Sequence, residues 1–333
     1  MEKSLVSIVT PCYNTGGYIH RLLDSVLEQT YPNIEMFVIN DGSTDNSADV
    51  VSSYLGKFEA RGYRLTLINQ ENQGQSVAIN QGLQLIHGKY LVWPDSDDFY
   101  ASPDVIERMV TIFEKSENDY GLVRTQENLL EDETLKIIGY NGKKVAAECD
   151  KRQLFEDCLF CKNGFFFCPG AYMADFEKMK KCMPLSIYTQ KDAGQNWQLM
   201  LPLLYNYKCY TIQEPLYNVV VRLSSHSRGQ YKGFTEVIKK YAAYENTIVE
   251  TLKRIKGMPR QDLDQYLLDI KKKYCKERLL QAFKYREKMA FNQYYSELER
   301  IQGITKNVRV LRVLYPFPIL MKFAMFIRRK LVR

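Results

Sequence analysis

Four short apolar runs in the first hundred residues each hand over to a cluster of Asn, Asp, Gly or Ser, and this regular handover restricts the chain to few folds. The runs are 5–10, 34–39, 64–68 and 90–93. The clusters are Pro11-Cys12-Tyr13-Asn14, Asn40-Asp41-Gly42-Ser43, Asn69-Gln70-Glu71-Asn72-Gln73-Gly74 and Pro94-Asp95-Ser96-Asp97-Asp98. Between them lie stretches with helical spacing: 18–28, carrying Ile19, Leu22, Leu23, Val26 and Leu27, then 45–58 and 76–86. Strands alternating with helices of this length predict a parallel sheet covered on both faces. In such a sheet the strand-to-helix loops share the carboxyl edge, where ligands bind. One polar loop is unremarkable; four in register point to a ligand site.

Asp95-Ser96-Asp97-Asp98 is the sharpest of the four. Carboxylates packed this densely repel one another unless a cation is present, and an oxygen-only ligand set selects hard ions such as Mg²⁺ or Mn²⁺. Such ions keep open positions that phosphate oxygens can fill. A helix cap explains one Asp but not three, and Ser102-Pro103-Asp104 already supplies a start for a helix at 104–115. Neither a Walker loop nor a GxGxxG fingerprint occurs, which argues against an ordinary ATPase or dehydrogenase. Asp41, at a strand end, suits acceptance of hydrogen bonds from a base or ribose.

Taken in order, Ser7-Ile8-Val9-Thr10-Pro11-Cys12-Tyr13-Asn14, Ile39-Asn40-Asp41-Gly42-Ser43-Thr44-Asp45, Asn72-Gln73-Gly74 with Ala78-Ile79-Asn80-Gln81-Gly82, and Asp95-Ser96-Asp97-Asp98 resemble the family-2 glycosyltransferases of GT-A fold. The resemblance covers roughly residues 4–225. It implies a Rossmann-like α/β sandwich with a mostly parallel central sheet, and inverting sugar transfer from a nucleotide-sugar donor, commonly a UDP-sugar. The donor side would comprise Pro11, Tyr13, Asn14, Asp41, Asn72, Gly74, Asn80, Asp95, Ser96 and Arg222. A divalent metal (Mn²⁺ or Mg²⁺) would be held by Asp95, Asp97 and Asp98, with His226 completing its shell or touching phosphate, and Arg222 or Arg228 on the diphosphate.

The chain departs from the family pattern at three places. Asn40 replaces the first Asp of the family's Asp-Asp-Gly-Ser, and Ile79 replaces the Arg of Ala-Arg-Asn, removing one cationic contact. Where the family places a Glu-Asp pair before a Trp-containing helix, this chain has Gln195-Asn196-Trp197. Neither amide is a base. Asp192, just upstream, is the candidate general base; capping the helix is its alternative role. Gln195 and Asn196 suit hydrogen bonds to sugar hydroxyls.

Beyond 115, strands are expected near 121–124, 135–138, 209–212 and 216–222, with a helix opening at 192 and running through 204. Two or three amphipathic helices follow over 234–302. The net charge of +7 conceals an asymmetry: residues 1–228 hold 22 Lys+Arg against 29 Asp+Glu, whereas residues 229–333 hold 24 against 10. A catalytic domain over 1–228 (nucleotide half 1–100, acceptor half 101–228) and a basic helical region over 229–333 are therefore expected. In the tail, Ile319 to Lys330 is too short to span a bilayer. On a helix it sets Lys322, Arg329 and Arg333 along one stripe beside Phe323 and Phe326, a basic and aromatic mixture expected of a helix lying in an anionic membrane surface; docking on the protein core is the alternative.

The eight cysteines are scattered and no secretion signal precedes Leu5, so a reducing, cytoplasmic setting on the inner membrane face is expected. Cys158 and Cys161 read as buried thiols rather than a zinc site, for no second pair follows. The partners expected are a nucleotide-sugar and a saccharide or lipid-linked saccharide acceptor in cell-surface polysaccharide assembly. Nucleic acid is not expected, since no fold for it is recognisable, and oligomerisation is left open. Two alternatives stand beside the glycosyltransferase: a nucleotidyltransferase-like enzyme, for which Thr15-Gly16-Gly17-Tyr18 is a poor phosphate loop, and a non-catalytic sugar-nucleotide-binding partner.

Overall fold

The computed structural model describes residues 3–115, 117, 119–142, 145–190, 193–222 and 233–316. Asp192, His226, Arg228 and the segment 317–333 lie outside these.

The amino-terminal βα alternation forms as expected. Strands β1 (Val6–Cys12), β2 (Ile34–Asp41), β3 (Arg64–Gln70) and β4 (Tyr90–Val92) lie parallel in the order β3-β2-β1-β4. β1 and β2 are buried along their whole length, as strands covered on both faces must be. Between them, α1 (Ile19–Leu27) buries Ile19, Leu22, Leu23 and Val26, each fully, at about 1.5–3 kcal/mol per side chain. The stretch expected as one helix divides into α2 (Ser47–Ser52) and α3 (Leu55–Arg61). The hydroxyls of Ser52 and Ser53 donate to the carbonyls of Ala48 and Val50, and this local competition accompanies the end of the first helix. Helix α4 (Gln75–Leu83) leads on to β4.

The second half extends the same sheet. After β5 (Phe99–Tyr100) and α5 (Val105–Lys115) come β6 (Tyr120–Glu131), β7 (Ile137–Asn141), α6 (Lys151–Phe160), β8 (Tyr172–Asp175), α7 (Phe176–Cys182), α8 (Asn196–Asn206) and β9 (Lys208–Val221). The sheet continues β4-β8-β6-β9-β5, with β7 paired to β6, so nine strands form one mixed sheet whose longest ladders are parallel. The two strands expected at 209–212 and 216–222 are one: a register shift opposite Gln126 absorbs Pro215, which lacks a ladder N–H, and β9 carries on.

Three helices follow, α9 (Phe234–Arg254), α10 (Arg260–Tyr285) and α11 (Lys288–Arg300), and then a short fourth, α12 (Lys306–Leu314). Helices α9 and α11 are amphipathic as expected, whereas α10 has no single apolar stripe, its buried residues moving round the helix from Tyr266 to Phe283. The chain forms two compact units, Met1–Gly229 with Asn246–Arg260, and Gln230–Glu245 with Gln261–Arg333. The second has its own core, built from Cys275, Leu279, Ala282 and Phe283 of α10, Phe291, Tyr295 and Leu298 of α11, and Val308 of α12. No helix among the described residues is long and apolar enough to cross a membrane.

Candidate active site

The four polar clusters are joined side by side at the carboxyl edge of β1–β4. The Asn14 N–H donates to Ser43 Oγ (3.0 Å) and the Thr44 N–H to Asn14 Oδ1 (2.8 Å), joining the β1 and β2 loops. Asp41, buried at the end of β2, accepts from Gln70 Nε2 (2.7 Å) and from the backbone N–H groups of Gln73 and Gly74 (2.8 Å each), joining the β2 and β3 loops. Thr15 Oγ1 donates to Ser96 Oγ (3.0 Å) and Gln75 Nε2 to Asp95 Oδ1 (3.2 Å), tying the β4 loop to both sides. The ring depends on two glycines. A Cβ on Gly42 (φ +70°) would stand 2.7 Å from the Asn72 nitrogen, and Gly74 adopts φ +92°, ψ 161°, a region open essentially to glycine alone.

Within this ring the three aspartates part company. Asp98 turns away into the sheet, accepting the Val220 N–H of β9 (2.8 Å), with the Cys168 thiol beside its other oxygen. Asp97 is paired with Arg222, at the end of β9, whose guanidinium also lies 4.4 Å over the Tyr18 ring. Asp95 accepts from Gln75 and, on the other side, from Gln195 Nε2 (3.2 Å). Burial, and then the charge of Asp97, push the Asp95 carboxyl up to about 7; Asp98 is driven well above the carboxylate range by burial and by both neighbours. The cluster is thus short of positive charge, and the one cation touching Asp97 among the described side chains is a guanidinium. Asp95 and Asp97 offer carboxylate oxygens of the hard kind that a divalent cation takes. No group of three or more His, Cys, Asp or Glu among the described residues is arranged to hold one, so the remaining coordination positions would fall to a ligand.

Residues 7–176 match the sequence profile of Glycosyl transferase family 2. The chain belongs to that family. Its similarity to an uncharacterized glycosyltransferase of Rickettsia prowazekii is 40% identity over 114 residues, 34% of this chain and 33% of that protein. To the chondroitin synthase of Pasteurella multocida it is 35% over 144 residues, 43% of this chain and 14% of the synthase. The aligned part is therefore a third or less of these relatives' length. Among solved structures, TarS 1-349 of S. aureus in complex with UDP-GlcNAc superposes with a TM-score of 0.62 at 17% identity, covering 94% of this chain and 85% of that one. The mannosyltransferase PcManGT of Pyrobaculum calidifontis, in complex with GDP-Man and Mn²⁺, gives 0.54 at 13% identity, covering 96% and 81%. These likenesses establish the GT-A type of fold.

The remaining sequence-predicted residues of this family-2 chain divide by what they touch. Pro11 is buried at the end of β1, while Tyr13 is 42% exposed at the mouth of the ring. Asn72 is exposed on the β3 loop. Asn80 faces elsewhere: its Nδ2 donates to the Ile187 carbonyl (3.0 Å) and its Oδ1 accepts the Ile187 N–H (2.7 Å), so its amide clamps the strip leading to residues 191–192. Gln195 and Asn196 start α8. Each has one amide hydrogen bond, to Asp95 Oδ1 and to the Phe167 carbonyl, and each leaves its amide oxygen buried without a partner.

Sequence reasoning missed Tyr18, the platform under Arg222, and Gln75, the second donor to Asp95. It also missed the buried Glu127 on β6, whose Oε2 accepts from Asn141 Nδ2 (2.9 Å). Burial raises that carboxyl to about 7, against the opposing pull of Asn141 and of Cys168. Tyr18 alone had a detectable signal, an aromatic at the mouth of the first βα loop.

Proposed function

We propose that the protein is a metal-dependent, inverting hexosyltransferase that moves a sugar from a nucleotide-sugar donor to a saccharide acceptor. The observation carrying this is the pair Asp95 and Asp97, held on a ring of four stitched loops and short of positive charge. A divalent ion there, Mn²⁺ or Mg²⁺, would supply neutralisation of the leaving diphosphate. Asp95 and Asp97 would hold it, Ser96 and Thr15 fix the loop between them, and Asp98 anchors that loop to β9. The UDP-GlcNAc and the GDP-Man with Mn²⁺ bound by the two structural neighbours support a nucleotide-sugar donor and such a metal.

On the acceptor side, the free oxygens of Gln195 and Asn196 suit sugar hydroxyls, because an unpaired buried acceptor gains most from a donor. The proton of the attacking hydroxyl then needs a carboxylate, and Asp192 is the one proposed. The chondroitin synthase relative supports a saccharide acceptor in polysaccharide assembly, and the basic carboxy-terminal region supports an acceptor that is lipid-linked and met at the inner face of the membrane.

The amide pair where a base is expected also favours a second reading, a non-catalytic sugar-nucleotide-binding partner. One experiment separates them: a panel of UDP-, GDP- and dTDP-sugars is screened with Mn²⁺ for thermal stabilisation and then for turnover. Turnover is expected with at least one donor and is abolished by Asp97→Ala. Stabilisation without turnover selects the binding protein, and full metal-dependent turnover by Asp97→Ala sinks the metal site.

A further inference from the structure

Arg222 is the feature of this site that a donor-and-metal description leaves unexplained. Its Nη2 is paired with Asp97 Oδ2, the two side chains being 14% and 19% exposed. A guanidinium there takes up an oxygen that a divalent ion would need. Its Cζ lies 4.4 Å over the centre of the Tyr18 ring, and the Tyr18 hydroxyl donates to Asp132 Oδ2 (3.3 Å), which fixes the ring on the β6–β7 turn. A guanidinium keeps its charge at any ordinary pH. The Arg222 Nε, though buried, has no hydrogen-bond partner. Asp97 therefore uses only part of a donor fork whose geometry matches phosphate oxygens.

We propose that Arg222 is a two-position positioning residue. Without a divalent ion it serves as the counter-ion of Asp97; when the ion takes Asp97, Arg222 pivots on the Tyr18 ring and binds the donor's diphosphate. The proposal rests on the metal-dependent donor site argued above and adds the competition between ion and arginine, together with the ring that keeps the displaced guanidinium beside the phosphates. No bond is made or broken; one cation replaces another on Asp97, and the released one finds a new anion.

Competition gives a crossed pattern that a merely structural ion pair does not. Binding of Mn²⁺ alone is followed by the electron paramagnetic resonance signal of the free ion. Binding of UDP and of GDP is then measured calorimetrically at saturating Mn²⁺. Arg222→Gln is expected to bind Mn²⁺ alone more tightly than the native protein, on the order of tenfold, and the better nucleotide more weakly by a similar factor. Arg222→Lys keeps a charge on Asp97. It should retain the native protein's weak Mn²⁺ binding yet still lose nucleotide affinity, because an ammonium cannot reproduce the fork.

Thermal melts establish that both variants are folded, and the Lys variant decides the matter if the Gln variant is not. Should native protein take up Mn²⁺ with nucleotide while Arg222→Gln binds Mn²⁺ alone no more tightly, the exchange is refuted and the metal site stands. Unchanged nucleotide affinity in Arg222→Lys refutes the second position. If native protein takes up no Mn²⁺ even with nucleotide, the metal site falls and the exchange falls with it.

Discussion

Glu127 shows what a single residue can conceal. It is 1% exposed on β6, and its carboxyl is pushed up to about 7 by burial while Asn141 and Cys168 pull it down. A carboxyl that holds its proton more tightly folded than unfolded stabilises the fold below the unfolded value near 4.5, and that contribution is lost as pH rises through about 7. Asp95 shifts in the same direction, so metal-free protein should lose stability between pH 5 and 8. Glu127→Gln removes one source of the loss and can keep the acceptor oxygen facing Asn141. Urea unfolding should find the variant near native stability at pH 4.5 and more stable at pH 8 by roughly 2–4 kcal/mol; parallel pH profiles would show that Glu127 is not the group responsible. The contrast with Asp95-Ser96-Asp97-Asp98 explains what was legible. Three carboxylates in four residues announce an electrostatic problem in the sequence itself. Glu127 is an ordinary letter in a strand, and its environment is assembled from Cys168 and Asn141, distant along the chain.

At the scale of elements, β1 to β4 and the helices between them were readable because periodicity and burial agree there. The errors lie where local hydrogen bonding or a bulge overrides periodicity: the serines at 52 and 53 separate α2 from α3, and Pro215 hides the continuity of β9. The Asn80 side chain makes both its hydrogen bonds to the backbone of Ile187. With Gln84 Nε2 on the Leu185 carbonyl (2.9 Å) and Ser76 Oγ towards the Gln190 carbonyl (3.4 Å), it makes α4 the support of residues 185–190. That strip leads to Asp192 and to Gln195. Asn80→Ala deletes both bonds to Ile187 and leaves that N–H and carbonyl to find other partners, a cost of about 1–3 kcal/mol. The variant should melt earlier and be cut faster by protease between 185 and 195, with mass spectrometry locating the cut. Unchanged cleavage there would mean that the amide clamp does not hold the strip.

For the molecule as a whole, the opposing charges of its two halves matter most, net negative over 1–228 and strongly positive over 229–333. Within the helical unit, α12 gives the positive charge a surface. Val308 is buried in the core there and Leu311 and Tyr315 pack against it, whereas Val310 and Val313 are 53% and 68% exposed, with Lys306 and Arg309 exposed as well. At 100° per residue, Lys306, Val310 and Val313 fall within an arc of about 60° on the face away from that core. Met289, 87% exposed at the start of α11, lies two residues before Phe291, whose ring stacks on Tyr315 at 4.3 Å, so a third apolar side chain belongs to the same end of the unit. Apolar side chains bordered by Lys and Arg suit the interface of an anionic bilayer, where burial of each valine contributes about 1.5 kcal/mol and each nearby cation about 1 kcal/mol. Sedimentation with liposomes containing phosphatidylglycerol should therefore capture the protein, less so in 0.5 M salt, and phosphatidylcholine alone should capture little. Val310→Ser with Val313→Ser should weaken the capture about tenfold or more while leaving its salt dependence, because the charges remain. If the double variant sediments like the native protein, α12 is not the membrane face. The comparison should then pass to a chain ending at 316, which isolates the apolar and basic stretch that follows.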